Sequence, residues 1–184
     1  MKFFAPLFLV VLLAGCATTP TTYLTLTPVP GPTIGISGPA IAVAHIATPT
    51  AIDRLYLTTA TGPTTLHVAN HARWVAPLGG MAQSVLAHDL AMRLQNTEIL
   101  MPGDPTPHGG ARVVSVNVTT FLPDPGRVVL DADWRITSRR HHHIIARGRT
   151  HIVVPAGATP ALQAQAMSAA LGQLADRIAA RVDQ

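Results

Sequence analysis

Arg127-Val128-Val129-Leu130-Asp131-Ala132-Asp133-Trp134-Arg135-Ile136-Thr137 alternates apolar and polar side chains. Val128, Leu130, Ala132, Trp134 and Ile136 fall on one side; Val129, Asp131, Asp133, Arg135 and Thr137 fall on the other. Successive side chains of a β-strand leave opposite faces, so the stretch predicts a strand with one face on a core and one in water. The pattern repeats on both sides of it. Upstream, Val114, Val116 and Val118 alternate with Ser115, Asn117 and Thr119. Downstream, Ile144, Ala146, Gly148, Thr150, Ile152 and Val154 form an apolar series opposite Arg147, Arg149 and His151. Together the runs predict an antiparallel meander. With a turn at 138–142, Asp133 is expected opposite Arg147 and Asp131 opposite Arg149. Such cross-strand pairs contribute about 0.2–1 kcal/mol each and set register; they do not form a catalytic cluster.

Helical spacing appears twice. Leu78, Met81, Ala82, Val85, Leu86, Leu90 and Leu94 recur at helical intervals, leaving Gln83, Ser84, His88 and Arg93 on the remaining surface. Pro77 stands at the start, where a missing N–H has no intrahelical partner to lose. In the second helix Thr159 serves as N-cap and Pro160 as the first helical residue. Met167, Leu171, Leu174, Ile178 and Val182 make its buried stripe, with Asp176, Arg177 and Arg181 outward. Elsewhere, short strands are expected at Tyr23-Leu24-Thr25-Leu26, 41–47, 52–57 and Thr97-Glu98-Ile99-Leu100, and Leu66-His67-Val68 returns from a turn near Gly62-Pro63. Pro28, Pro30, Pro32 and Pro39 make 27–39 an extended loop, because proline cannot donate to a ladder. Two helices and one amphipathic sheet hide their apolar faces only by packing together. The expected fold is α+β, a two-layer sandwich of mostly antiparallel sheet with two main helices packed on one face.

The amino end assigns an address. Met1-Lys2 gives a positive start, an apolar run follows, and Leu13-Ala14-Gly15-Cys16 closes it. That is the layout of a secretory signal peptide, too short to span a bilayer, which takes about 20 residues. The only cysteine in the chain lies directly after Leu-Ala-Gly and resembles the bacterial lipobox, whose thiol receives a diacylglycerol. The expected division is a signal peptide at 1–15, a lipidated tether at 16–22 and a single domain at 23–184. A single acyl chain binds a membrane marginally, and several, palmitate among them, hold it effectively permanently. In the Gram-negative pattern this resembles, Asp after the cysteine marks inner-membrane retention; Ala17 implies the periplasmic face of the outer membrane.

Composition narrows the rest. Lys2 is the only lysine, so the pI near 10.2 reflects a modest excess of arginine over few acids. The basic residues read as scattered, without interleaved aromatics, which argues against a nucleic-acid partner. With Cys16 acylated no disulfide can form, and stability rests on core packing. Few charged residues leave a weakly polar surface that suits coverage by a partner. His141-His142-His143 reads as a solvated hairpin tip, since neighbouring side chains splay and no second cluster of ligands accompanies them. His67 and His71 lack a companion glutamate motif, so no metal and no cofactor is expected. Ser84 and His88 share a helix face without an oxyanion hole or a Gly-x-Ser-x-Gly elbow, which points away from an enzyme. Asp53-Arg54 reads as a salt bridge or cap, and Trp74 and Trp134 as core anchors.

Several of these segments, in order, resemble one family. They are Tyr23-Leu24-Thr25-Leu26, Ile52-Asp53-Arg54-Leu55-Tyr56-Leu57, Arg73-Trp74-Val75-Ala76-Pro77-Leu78, Phe121, Leu130-Asp131-Ala132-Asp133-Trp134, and Met167 through Ala179. The family is the ABC-type transport auxiliary lipoproteins, the PqiC type; the histidine run departs from its pattern. The resemblance implies an outer-membrane lipoprotein that serves lipid transport beside an MCE-domain protein. An ABC permease or a PqiA-like integral protein stands at the far end, and a homo-oligomeric ring is plausible. Asp53, Arg54 and Trp74 are the candidate docking residues, together with the proline-rich loops. The alternative from another class is a structural assembly factor or plug for an outer-membrane complex.

Overall fold

In the computed structural model, which describes residues 19–108, 110–138 and 143–182, the meander is built from three long strands. These are β6 (Arg112–Asp124), β7 (Arg127–Ser138) and β8 (Ile144–Pro155), paired antiparallel in that order. Pro125 and Gly126 close the first hairpin. Gly126 sits at φ +74°, the left-handed region glycine enters without a Cβ penalty. Arg127 and Asp124 pair across it at 2.7 Å.

The preceding strands are β1 (Thr22–Leu24), β2 (Ile41–Val43), β3 (Tyr56–Gly62), β4 (Thr65–Trp74) and β5 (Ile99–Leu100). They revise the expectation of one sheet. Strands β5-β2-β6-β7-β8 form a five-stranded sheet, and β1-β4-β3 form a separate three-stranded one. Pairing is antiparallel in the long hairpins, but β2 runs parallel to both β5 and β6, and β1 parallel to β4. The strand expected from residue 52 begins at Tyr56, because Ile52 and Asp53 turn back onto the Pro49 carbonyl.

Helix α1 (Leu78–Arg93) and helix α2 (Pro160–Ala179) pack on each other and on the sheet's apolar side, completing an α+β sandwich. Phe121, Val128, Leu130 and Ile136 meet Leu86, Leu90, Leu171, Leu174 and Ile178 in one fully buried core. Thr159 Oγ1 accepts from Leu162 N, as the cap and Pro160 predict. The stripe residues Met167, Leu171, Leu174 and Ile178 of α2 are buried, and so is Val182 in the turn beyond its end.

The β7–β8 register differs from expectation by two residues. Asp133 faces Arg149 and Asp131 faces His151, while Arg135 faces Arg147. A two-residue slip leaves every side chain on its own face, so alternation alone could not detect it. An irregularity between Ile136 and Thr137 then shifts the pairing by one residue, and Ser138 N donates to His143 O. The apolar series on β8 also fades toward its start, where Ile144 is 51 % exposed. At the strand's centre Trp134 lies over Gly148, where a Cβ would stand 2.6 Å from Cζ2 of the indole. Its Nε1 donates to buried Thr150 Oγ1 at 2.9 Å, so the indole N–H is satisfied inside the core.

Cys16, Ala17, His141 and His142 lie outside the described residues. Among those described, no helix is long and apolar enough to cross a membrane.

Candidate functional site: a strapped helix pair and two exposed sheet faces

The proline-rich segment is extended, as proline demands, but it is not free. It lies across both helices. Thr27 N donates to Ser168 Oγ of α2 at 3.1 Å, and Val29 N to Asp89 Oδ1 of α1 at 2.7 Å. Ile34 N reaches Arg93 O, and Thr97 Oγ1 donates to Ile36 O. At the centre is Arg93, expected on the solvated side of α1 and found 1 % exposed. Its Nε donates to Asp176 Oδ1 at 2.6 Å, Nη1 to the Val29 and Asp89 carbonyls at 2.9 Å, and Nη2 to the Gly172 carbonyl at 3.0 Å. Asp176, expected outward, therefore turns toward α1. The sequence signal was the Asp89–Arg93 spacing of four on an otherwise apolar helix.

Asp89 is wholly buried and its Oδ2 has no partner among the described residues. Burial pushes its pKa from 3.8 up to about 6, against the Val29 hydrogen bond and the Arg93 charge, with Asp176 adding to the rise. A carboxyl that is weaker in the folded state holds its proton there while the unfolded chain has lost it. The folded form therefore loses stability as pH climbs through that interval, by about 2–3 kcal/mol in all. Asp89→Asn is expected to remove this slope. Urea unfolding at pH 3.5 and pH 7.5 checks it: the variant should gain about 2–3 kcal/mol on wild type between the two. An unchanged difference would refute the assignment.

The three candidate docking residues separate. Trp74 is 3 % exposed and packs in the core, as the anchor reading has it, so its ring offers a partner no surface. Asp53 is half-buried and its Oδ1 accepts from Gly79 N in the first turn of α1, a cap that also favours the helix dipole. Arg54 is exposed. Around it the three-stranded sheet presents an apolar face that the sequence did not announce. Tyr23, Arg73 and Tyr56 occupy one row across β1-β4-β3, with the Arg73 guanidinium 4.7 Å from the centre of the Tyr56 ring. Leu55 and Val75 flank them, tied into the sheet by Trp74 N to Leu55 O and Val75 N to Leu24 O, and both are exposed.

On the five-stranded sheet the solvent face carries polar rungs: Ser115–Arg135–Arg147, then Asn117–Asp133–Arg149. Arg149 Nε donates to Asp133 Oδ1 at 2.8 Å, and this contact and charge raise the Arg149 pKa further. His151 Nδ1 meets Asp131 Oδ1 at 2.6 Å. These rungs line an open concavity of about 960 Å³. Ser84 and His88 stand one helical turn apart, and the ring of His88 meets the Ser84 backbone carbonyl through Nδ1 at 2.8 Å. Among the described residues no three His, Cys, Asp or Glu side chains gather as metal ligands.

Comparisons with known proteins agree with this architecture. A crystal structure of an uncharacterized protein superposes with TM-score 0.77 at 16 % identity, covering 89 % of this chain and 99 % of the other. A protein of Xanthomonas campestris superposes at 0.69, also at 16 % identity, covering 86 % and 92 %. Likeness at this identity shows a shared fold. No curated protein matches the chain significantly. The profile of the ABC-type transport auxiliary lipoprotein component matches residues 23–179, from the first strand to the end of α2. Because that match takes in both sheets, the strap and both helices, the chain belongs to the family of ABC-type transport auxiliary lipoprotein components.

Proposed function

We propose that this chain is the outer-membrane docking component of an MCE-type intermembrane lipid transport system, anchored through acylated Cys16 and facing the periplasm. One observation carries the reading. The family match opens at Tyr23, a short tether beyond Leu13-Ala14-Gly15-Cys16, so anchor and transport-auxiliary domain stand in the order a lipoprotein requires. The family is an auxiliary transport component rather than a known enzyme family. The row of exposed Tyr23, half-buried Arg73 and exposed Tyr56 beside Arg54 supplies an aromatic and cationic face of the composition found at protein interfaces. It carries the docking in this reading, and the MCE-domain protein is its occupant.

Cys16→Ser is expected to abolish the acyl mass on the mature chain and to release it from the outer-membrane fraction. Mass spectrometry and fractionation read both, and undiminished outer-membrane retention would overturn the anchor. Affinity capture of the acylated protein from detergent-solubilised membranes tests the partner. An MCE-domain protein is expected with wild type and lost with Arg54→Glu. Recovery of an outer-membrane β-barrel in its place would favour the assembly-factor alternative.

A further inference from the structure

Five of the thirteen basic side chains, Arg135, Arg139, Arg140, Arg147 and Arg149, fall between residues 135 and 149, without a single acid among them. The scatter expected for the basic residues fails here. Folding sharpens the imbalance, because β7 and β8 set Arg135 directly opposite Arg147. Like charges facing across a ladder repel. The two carboxylates on that face are already engaged, Asp133 by Arg149 and Asp131 by His151. Arg135 and Arg147 have no carboxylate partner among the described residues, and both line the concavity.

We infer that this concavity binds the phosphate of a lipid headgroup, held between the guanidinium groups of Arg135 and Arg147. Two forks on neighbouring strands converge on one tetrahedral anion whose several oxygens accept from both, whereas a carboxylate is saturated by one fork. Ser115 shares the rung with Arg135, and Asn117 follows on the next, adding neutral donors beside the anion. The space, about 960 Å³, far exceeds a bare phosphate, and exposed Ile144, opposite Thr137 on the same face, adds apolar surface beside the arginines. A headgroup with its glycerol fits both features. The inference stands apart from the docking face, which lies on the other sheet.

The test uses the acylated full-length protein in neutral detergent, titrated calorimetrically with three soluble probes: dihexanoyl phosphatidylglycerol, inorganic phosphate and a glutamate-rich peptide. Phosphatidylglycerol is expected to bind, to weaken at least tenfold in R135Q/R147Q, and to keep its affinity in R127Q, which removes a charge at the far end of β7. Removing the facing charges relieves repulsion, so the double variant should melt no lower than wild type and its fold is not at risk. Saturable phosphatidylglycerol binding at least tenfold tighter than that of inorganic phosphate supports the headgroup. Equal affinity for the two overturns the lipid source in favour of free phosphate. Tighter binding of the peptide overturns the phosphate assignment in favour of an acidic protein partner. No phosphatidylglycerol binding, or binding unchanged in the double variant, overturns the site altogether.

Discussion

Arg93→Ala is expected to destabilise the domain by about 3–5 kcal/mol, the range for removing one member of a buried ionic network. The loss is more than an ion pair. The guanidinium satisfies the carbonyls of Val29, Asp89 and Gly172 and the carboxylate of Asp176; without it the Asp89 and Gly172 carbonyls are left unpaired in a low-dielectric interior, and part-exposed Asp176 loses its cation. Asp89 would keep its Val29 partner but lose the cation that offsets its burial. Urea unfolding followed by far-ultraviolet circular dichroism measures the effect. A change under 1 kcal/mol would mean that the hub is not what joins strap to helices.

Gly31→Val is expected to be nearly as severe, although no bond to Gly31 is involved. A Cβ at residue 31 would stand 2.2 Å from Nη2 of Arg93 and 2.4 Å from its Cζ. An arginine tip usually swings aside at little cost, but this one is held by hydrogen bonds to four groups. The variant must break them or lift the strap, and overpacking alone costs about 1–3 kcal/mol. The two substitutions should therefore couple. In the Arg93→Ala background the space is open, and Gly31→Val should cost little more. A double-mutant cycle should give an interaction of about 1–3 kcal/mol; strict additivity would sink the explanation.

What the sequence disclosed depended on the kind of signal. Period-two alternation on β6, β7 and β8, and helical spacing on α1 and α2, located these elements and their buried faces, because both patterns are local. The amino-terminal strands were harder. β2 is three residues long and owes its existence to β5 and β6, partners far along the chain that no local pattern names. Register on β7–β8 escaped for a different reason, since faces repeat every two residues and a slip of that size is silent. Arg93 was placed outward because charge usually is; only the carbonyls and carboxylates that three segments bring to it make its burial tolerable. The docking face failed similarly for Trp74, whose large apolar ring the core claims, while Tyr23 and Tyr56 attracted no notice as single aromatic residues.

The position of β2 between β5 and β6 governs the order in which this chain can assemble. A polypeptide delivered across a membrane amino end first exposes residues 41–43 long before residues 99–124 arrive to flank them. Loop closure over such separations is slow, and nothing rewards it until the last strand of the trio has emerged. Residues 41–43 must therefore wait for a flanking strand from the carboxyl-terminal half. A truncation ahead of β6 would strip β2 of one of its two flanking strands, while β1, β3 and β4 keep their partners in each other.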